Sequence, residues 1–218
     1  MVASLTMCLI KQRANNPEQK ALRRQQILLA TRSRFSSCAY EEVNLNHIAA
    51  DVGITKAALY RYFRNKETLF LALFVESLEE LIGSIKLNKQ NLSISDTICN
   101  ILISSPIFCK LSAILHTILE RNLTLEEAAS FKLTLLELMQ HLSSSIRAQH
   151  PSVDLEGAEA MSLLIQVQQA LIGVWHMTHP TGAIAQVLEK PPLDVFKRSF
   201  ESALREHVQL LVMQFSAQ

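Results

Sequence analysis

The sequence predicts an all-α protein in which a small N-terminal helical domain is joined by a connecting helix to a larger helical domain. Apolar residues recur at helical spacing, and no run shows the sustained alternation of a β-strand. Five Gly and six Pro are few for 218 residues, and the 49% hydrophobic content allows a substantial core. We expect a leader over residues 1–16, a first domain over 17–64 and a second over 65–218.

The first sixteen residues contain an apolar stretch, VASLTMCLI, with the cationic residues Lys11 and Arg13 placed after it. A secretory signal has the reverse order, and the stretch is too short to span a membrane. We therefore expect a flexible leader. The sequence leaves open what this leader does and whether translation starts at Met1 or Met7.

Two long helices are expected to begin in the first third of the chain. One runs from Pro17 or Glu18 to Ser36, and a long connecting helix begins near Asn65. Their inward faces are predicted to be Leu22, Ile27, Leu28 and Phe35 in the former and Leu69, Leu73, Leu78, Leu81 and Ile85 in the latter. The second stripe is long enough to carry one continuous helix from the first domain into the second.

Residues 44–70, NLNHIAADVGITKAALYRYFRNKETLF, indicate a helix-turn-helix. Asn44 and Thr55 are expected to cap its two helices, because their side-chain oxygens can accept a hydrogen bond from an unpaired backbone N–H. Gly53 supplies the turn, where a left-handed backbone is tolerated. The docking positions are predicted to be Leu45, Ile48, Ala49 and Val52 in the first helix and Leu59 and Phe63 in the second.

The outward residues of the second helix have the composition of a recognition helix in the major groove of DNA. Lys56 can donate to a guanine edge or a phosphate, and Ala58 can contact a thymine methyl group. The tyrosine hydroxyls, Lys66 and Asn44 can reach phosphates. The alternative is that the tyrosines only pack and that Lys56 is a solvated charge. The predicted DNA contacts are Asn44, Thr55, Lys56, Ala58, Tyr60, Tyr62 and Lys66.

The segments ILLATRSRF, IAADVGITKAALYRYF and NKETLF closely resemble the tetracycline-repressor (TetR) family of transcriptional regulators. The resemblance covers about a fifth of the chain, from Ile27 to about Phe74. It implies a three-helix DNA-binding domain, a connecting helix, and a C-terminal domain that dimerises and holds an inducer. Ala39 stands where the family usually has Gly, and Asn44 where it usually has Ser or Thr. Positions that commonly contact the DNA backbone in the family match Tyr60, Tyr62 and Lys66.

Charge is divided along the chain although the formal net charge is only +1. From Met1 to Val75 there are eleven Lys and Arg against five Asp and Glu, and the remainder has ten against fifteen. A basic first part and an acidic second part are typical of a DNA-binding domain attached to a regulatory domain.

The second domain is predicted to consist of further helices. These are expected at Ile94–Ser104, Pro106–Arg121, Leu125–Gln149, Leu155–His179 and Leu193–Phe215, with prolines between them. The last two are the expected dimer interface. The resemblance implies the same, since the final helices of the family form a four-helix bundle. Their interface residues are predicted to be the small residues Gly157, Ala158, Ala160, Ala170 and Gly173 and the apolar residues Val195, Phe196, Phe200, Ala203, Leu204, Val208, Leu211 and Val212. An intramolecular core is the alternative.

A ligand pocket is expected among the apolar residues of the second domain. The candidates are Phe108, Leu111, Leu115, His116, Leu119, Phe131, Leu135, Met139, Met161, Trp175, His176 and Met177. We select Phe108, His116, Phe131, Met139, Trp175 and His176 as ligand-binding residues, because they combine adaptable apolar surface with a few polar groups. For each residue taken singly, ordinary core packing is the alternative. The set favours a small apolar or amphipathic ligand.

Other classes of site lack support in the sequence. No nucleophile lies beside a base, and no cofactor loop or metal spacing occurs, so we expect neither an enzyme nor a cofactor. His176 and His179 are only weak evidence for a metal. Cys8, Cys38, Cys99 and Cys109 are scattered, which fits a reducing cytoplasm, with a thiol sensor at Cys99 and Cys109 as the alternative. The longest uncharged stretch, residues 160–188, is too polar to be a membrane span.

These patterns lead to one functional hypothesis. Two DNA-binding domains on a two-fold axis would bind a palindromic operator, since one short helix contacts only a few base pairs. A ligand in the second domain would then release a cytoplasmic repressor by shifting the connecting helix. The alternative is an activator, or a DNA-binding protein that responds to no ligand. The sequence leaves open the operator, the regulated genes, the ligand and the sign of regulation.

Overall fold

The computed structural model describes residues 16–87, 92–151 and 157–216. These residues form α-helices, short helical turns and connecting loops, without a strand in the described ranges, so the all-α prediction is confirmed. The predicted leader lies outside the described residues apart from Asn16. Two compact units are distinguished, Met1–Leu73 and Phe74–Gln218.

The described residues form helices of very different lengths. They are α1 Pro17–Ser37, α2 Leu45–Asp51, α3 Lys56–Leu59, α4 Lys66–Leu87, α5 Ile94–Ile103, α6 Pro106–Ile114, α7 Leu125–Gln149, α8 Gly157–Thr178, α9 Gly182–Val187 and α10 Phe200–Ser216. Helix α6 passes into a π-helical turn at Leu115–Leu119, and a 3-10 turn occurs at Leu193–Phe196. No single described helix meets the length and hydropathy expected of a membrane span; the bent pair Ile94–Ile103 and Pro106–Leu119, at 86°, passes only when taken together.

Side-chain caps fix several helix starts. The Asn16 side chain accepts a hydrogen bond from the Glu18 N–H at 2.7 Å, one residue before Pro17 opens α1. Before α7, the Thr124 hydroxyl accepts from the Glu127 N–H, and the Glu127 carboxylate accepts from the Thr124 N–H at 2.9 Å. This reciprocal capping box begins α7 at the residue expected from the sequence.

The first unit packs α1, α2 and α3 against the beginning of α4. The Phe35 and Phe70 rings meet edge to face, 5.1 Å apart, and Ile27, Leu28 and Phe35 are buried as predicted. Leu22, in contrast, is 43% exposed, so its inward assignment was wrong. Leu22 is five residues from Ile27, which rotates it away from the face that Ile27 and Phe35 define.

The second unit packs α10 against α8 and α5, and α8 against α6 and α7. All five residues predicted to line the inner face of α4 are buried. The helix expected over Leu193–Phe215 begins only at Phe200, because Lys197 has an extended backbone that separates it from the preceding 3-10 turn. Val195 and Phe196 are consequently exposed rather than part of that helix.

Candidate DNA-binding surface and ligand cavity

The turn between α2 and α3 is set by the backbone. Gly53 has φ of 70°, and the Ile54 N–H donates to the Ala49 carbonyl at 2.9 Å. Leu59 and Phe63 are buried, and the Phe63 N–H donates to the Leu59 carbonyl at 3.2 Å. Helical hydrogen bonding therefore continues past the end of α3, and both residues predicted to dock the second helix are buried.

The predicted caps are present. The Thr55 hydroxyl accepts from the Ala58 N–H at 3.1 Å, and the Asn44 side-chain oxygen accepts from the Asn46 N–H at 2.8 Å. Asn44 thus uses its side-chain oxygen in the fold, and the residue is exposed at the start of α2. Ala58 is half-buried one turn after the Thr55 cap.

Lys56 and Tyr60 form an exposed pair at one edge of α3. The Lys56 ammonium lies 5.8 Å from the centre of the Tyr60 ring, and Tyr60 is 42% exposed. Arg61, which the sequence argument passed over, is also exposed next to them. Lys56, Tyr60 and Arg61 therefore offer two cations and a phenol hydroxyl, all groups that bind phosphate oxygens or base edges.

Tyr62 and Lys66 are more enclosed. Tyr62 is half-buried, and the Lys66 ammonium donates to the Tyr40 carbonyl while lying 4.2 Å from the centre of the Tyr40 ring. Burial lowers the pKa of Lys66 and, with nearby carboxylates, raises the pKa of Tyr40. Lys66 thus ties the start of α4 to the turn before α2. Of its three N–H donors, that bond uses one.

Two long-range contacts that the sequence argument missed hold the helix-turn-helix on α1. The buried Arg23 guanidinium donates to the Val52 carbonyl at 2.8 Å. Arg34 makes a bidentate ion pair with Asp51, with N–O distances of 2.5 and 2.7 Å. The hydrogen bond from Arg34 lowers the pKa of Asp51 below its usual value. Partners 29 and 17 residues apart leave no periodic signal in the sequence.

The second unit contains an apolar cavity of about 50 Å³ between α4, α5, α6, α7 and α8. Phe74, Leu78 and Leu81 of α4 form one wall. Two of the six selected ligand residues, Phe108 and Met139, line it. Gln168, which the sequence argument did not select, lines it as well.

The other four selected residues lie outside this cavity lining. Phe131 is buried with its ring centre 6.1 Å from that of Phe74, and His116 lies 3.1 Å from the Glu120 carboxylate on the surface. The Trp175 ring stacks on His179 at 3.8 Å, and the His176 Nε2 lies 3.0 Å from the Ala113 carbonyl oxygen. The structure therefore distributes these side chains over several places.

Metal and thiol chemistry find little geometric support in the residues described. No group of three or more His, Cys, Asp or Glu side chains that could hold a metal occurs there. Burial raises the pKa of Cys99 to about 11 and that of Cys109 to about 12, which keeps both as unreactive thiols at neutral pH. Cys8 lies outside the described residues.

The sequence matches two family models and one known repressor. Residues 27–73 match the family model for bacterial regulatory proteins of the tetR family, and residues 72–213 match the tetracyclin repressor-like C-terminal domain. An HTH-type transcriptional repressor of Mycobacterium tuberculosis is 33% identical over 61 residues, which span 28% of this chain and 33% of that protein.

Two solved structures share the fold. A TetR transcriptional regulator from Rhodococcus sp. RHA1 has a TM-score of 0.58 at 16% identity, covering 90% of this chain and 98% of its own. A tetR-family regulator from Streptomyces coelicolor has a TM-score of 0.54 at 16% identity, covering 90% and 83% respectively. The matched domains together with this fold establish that the chain belongs to the TetR family of transcriptional regulators, which bind DNA and are not enzymes.

Proposed function

We propose that this regulator is a homodimeric repressor that binds a palindromic operator and leaves it when a small apolar or amphipathic ligand enters the second domain. We retain residues 17–64 as the DNA-binding domain and 65–218 as the ligand-binding and dimerisation domain. The observation that carries the proposal is the exposed Lys56–Tyr60 pair on residues 56–63, the proposed recognition segment. The other side of this segment is anchored by buried Leu59 and Phe63. The relative named as a transcriptional repressor supports the sign of regulation.

The DNA contacts are assigned by exposure and chemistry. Lys56 and Ala58 would face base edges in the major groove, while the Tyr60 and Tyr62 hydroxyls would bind phosphates. Thr55 would contact a phosphate by donating from its hydroxyl O–H, because the cap uses the hydroxyl only as an acceptor. Asn44, through its amide nitrogen, and Lys66, through its remaining N–H donors, would complete the backbone contacts.

The dimer would form through α8 and α10. Ile165, Gly173 and Met177 recur on α8 at multiples of four residues and are exposed, as are Leu210 and Met213 on α10. Exposed apolar side chains on two adjacent packed helices are typical of a surface that a second subunit covers. A two-fold pair of recognition segments would match a palindrome.

Ligand coupling would operate through α4. The cavity of about 50 Å³ is smaller than the roughly 300 Å³ or more that a drug-sized ligand occupies. A ligand would therefore have to displace its walls, including Phe74, Leu78 and Leu81 on a helix whose first residues belong to the other unit. Such a ligand would favour one arrangement of α4 over the other, which is the requirement for release.

The test is fluorescence anisotropy of the purified protein on labelled duplexes that tile its own upstream region, at two salt concentrations. We expect tight, steeply salt-dependent binding to one duplex containing a palindrome. Equal, weak binding to upstream duplexes and to selected genomic fragments would contradict a specific regulator. Reporter transcription with the bound duplex then separates a repressor from an activator. A ligand that binds the second domain without changing DNA affinity would support the ligand-independent alternative.

A further inference from the structure

The cavity in the second unit constrains the charge of its occupant. Among the residues that the structure describes, fifteen line it; fourteen of these are apolar, and none of the fifteen is ionisable. A charged group that entered would lose its hydration and would find no ion-pairing partner in this lining. In apolar surroundings the free-energy cost of losing that hydration is large, because no opposite charge offsets it. An ionic ligand is therefore disfavoured.

Gln168 is the one polar side chain among these described lining residues, and it lies half-buried on α8 between Leu164 and Leu171 of the same wall. Within the described part of the chain, its carboxamide has no hydrogen-bond partner. Gln166, two residues earlier on the same helix, instead donates to the Ser162 hydroxyl at 3.2 Å and is not in the lining. The Gln168 amide thus offers two N–H donors and one carbonyl acceptor to whatever occupies the cavity.

We propose that the ligand is an uncharged, mainly apolar molecule with a single hydrogen-bonding group, and that Gln168 selects for this group. The regulatory effect of such a ligand rests on the proposed function, whereas its binding does not. A neutral hydrogen bond contributes on the order of 1 kcal/mol net, which corresponds to about a five-fold difference in affinity. The apolar walls supply the remaining affinity and Gln168 supplies the selectivity.

The experiment uses matched probes on the full-length protein. N-phenyl-1-naphthylamine is neutral with one N–H, and 8-anilinonaphthalene-1-sulfonate is the same skeleton with an anionic group. The competitor 1-phenylnaphthalene has similar shape without a hydrogen-bonding group, and only probe fluorescence that it displaces is counted. We expect the wild-type protein to bind the neutral amine at least about ten-fold more tightly than the sulfonate.

Two variants identify the selecting residue. Gln168→Leu keeps the side-chain size and removes the amide. It should therefore lower the affinity for the neutral amine about five-fold and leave the affinity for 1-phenylnaphthalene unchanged or higher. Gln166→Leu is the matched control and should change neither the affinity for the amine nor the affinity for 1-phenylnaphthalene. Equal binding of the amine by wild type and Gln168→Leu, displaceable sulfonate binding as tight as that of the amine, or no displaceable binding would each overturn the proposal.

Parallel operator-binding measurements separate this inference from the proposed function. If Gln168→Leu weakens the amine but the bound amine leaves operator affinity unchanged, the selectivity assigned to Gln168 stands and ligand release fails. If the amine releases the operator equally from wild type and Gln168→Leu, release stands and the role of Gln168 is refuted.

Discussion

The guanidinium of Arg23 donates a 2.8 Å hydrogen bond to the carbonyl oxygen of Val52, where α2 ends and the turn to the recognition segment begins. The bond is buried, and it joins the middle of α1 to the helix-turn-helix. A buried carbonyl that loses its donor still carries the cost of its desolvation. The hydrogen bond from Arg23 therefore stabilises the fold and holds the turn in position.

Arg23→Leu should lower the free energy of unfolding by about 2 kcal/mol, since a charged donor to a buried carbonyl is lost. Urea unfolding followed by circular dichroism measures this. Lys20→Leu, at an exposed position of the same helix, is the control and should have little effect. Equal stability of the two variants would show that the Arg23 bond contributes nothing net.

Two glycine replacements should act in opposite directions. Gly53→Ala should destabilise the protein by about 1–2 kcal/mol, because φ of 70° is left-handed and disfavours a Cβ. Gly83→Ala, within α4, should stabilise it by about 0.5–1 kcal/mol through higher helix propensity. At neither position would the added Cβ meet another atom within 4 Å, so both effects are conformational. Thermal unfolding of the pair tests this, and effects of the same sign would contradict it.

Substitutions at the recognition edge should separate affinity from sequence preference. Tyr60→Ala should weaken binding to all duplexes alike, whereas Lys56→Ala should also relax discrimination against altered half-sites, costing about ten-fold on the best site. Anisotropy titrations on the operator and on point-mutated duplexes measure both quantities. Lys190→Ala, an exposed lysine of the second unit, is the control. Wild-type binding by both Tyr60→Ala and Lys56→Ala would remove these two residues from the contact surface.

The Arg34–Asp51 ion pair should make stability depend on acid pH. Because the hydrogen bond from Arg34 lowers the folded-state pKa of Asp51 below its ordinary 3.8, the stabilisation is complete above that value. It is lost as pH falls through the lowered pKa, where folded and unfolded states both bind the proton. Asp51→Asn should therefore be less stable than wild type at pH 7, by a small margin because the pair is solvent-screened. Urea unfolding should show this difference shrinking as the pH falls below 3.8; a difference that stays constant down to low pH would contradict the linkage.

The dimer proposal predicts that a bulky residue at Gly173 blocks subunit association without unfolding the chain. Gly173 is exposed on α8, and an added Cβ would meet nothing within 4 Å in its own subunit. Gly173→Trp should raise the dimer dissociation constant about ten-fold or more, since a large side chain would prevent close helix approach. Sedimentation velocity measures this, with Ala129→Trp on the exposed face of α7 as the control. Unchanged association would exclude this face of α8.

Local patterns were sufficient for much of the fold. Helix α7 was predicted to run over Leu125–Gln149, and the structure has the same bounds, because the cap at Thr124 and the approach of Pro151 act within a few residues. The helix-turn-helix followed similarly from Gly53, whose left-handed backbone needs no distant partner. Errors occurred where periodicity was extended across an interruption, as at the extended residue Lys197.

The candidate sites likewise contain features that the sequence predicted and features that only the tertiary structure decided. Sequence alone identified the family, the helix-turn-helix and the apolar character of the second domain, since each depends on neighbouring residues or on helix periodicity. Only the tertiary structure decided that Phe108 and Met139, but not Trp175 or His116, line the cavity, and that Arg23 meets Val52. Helical spacing specifies which face of a helix is apolar. It does not specify which other helix covers that face, and this pairing determines what a cavity contains.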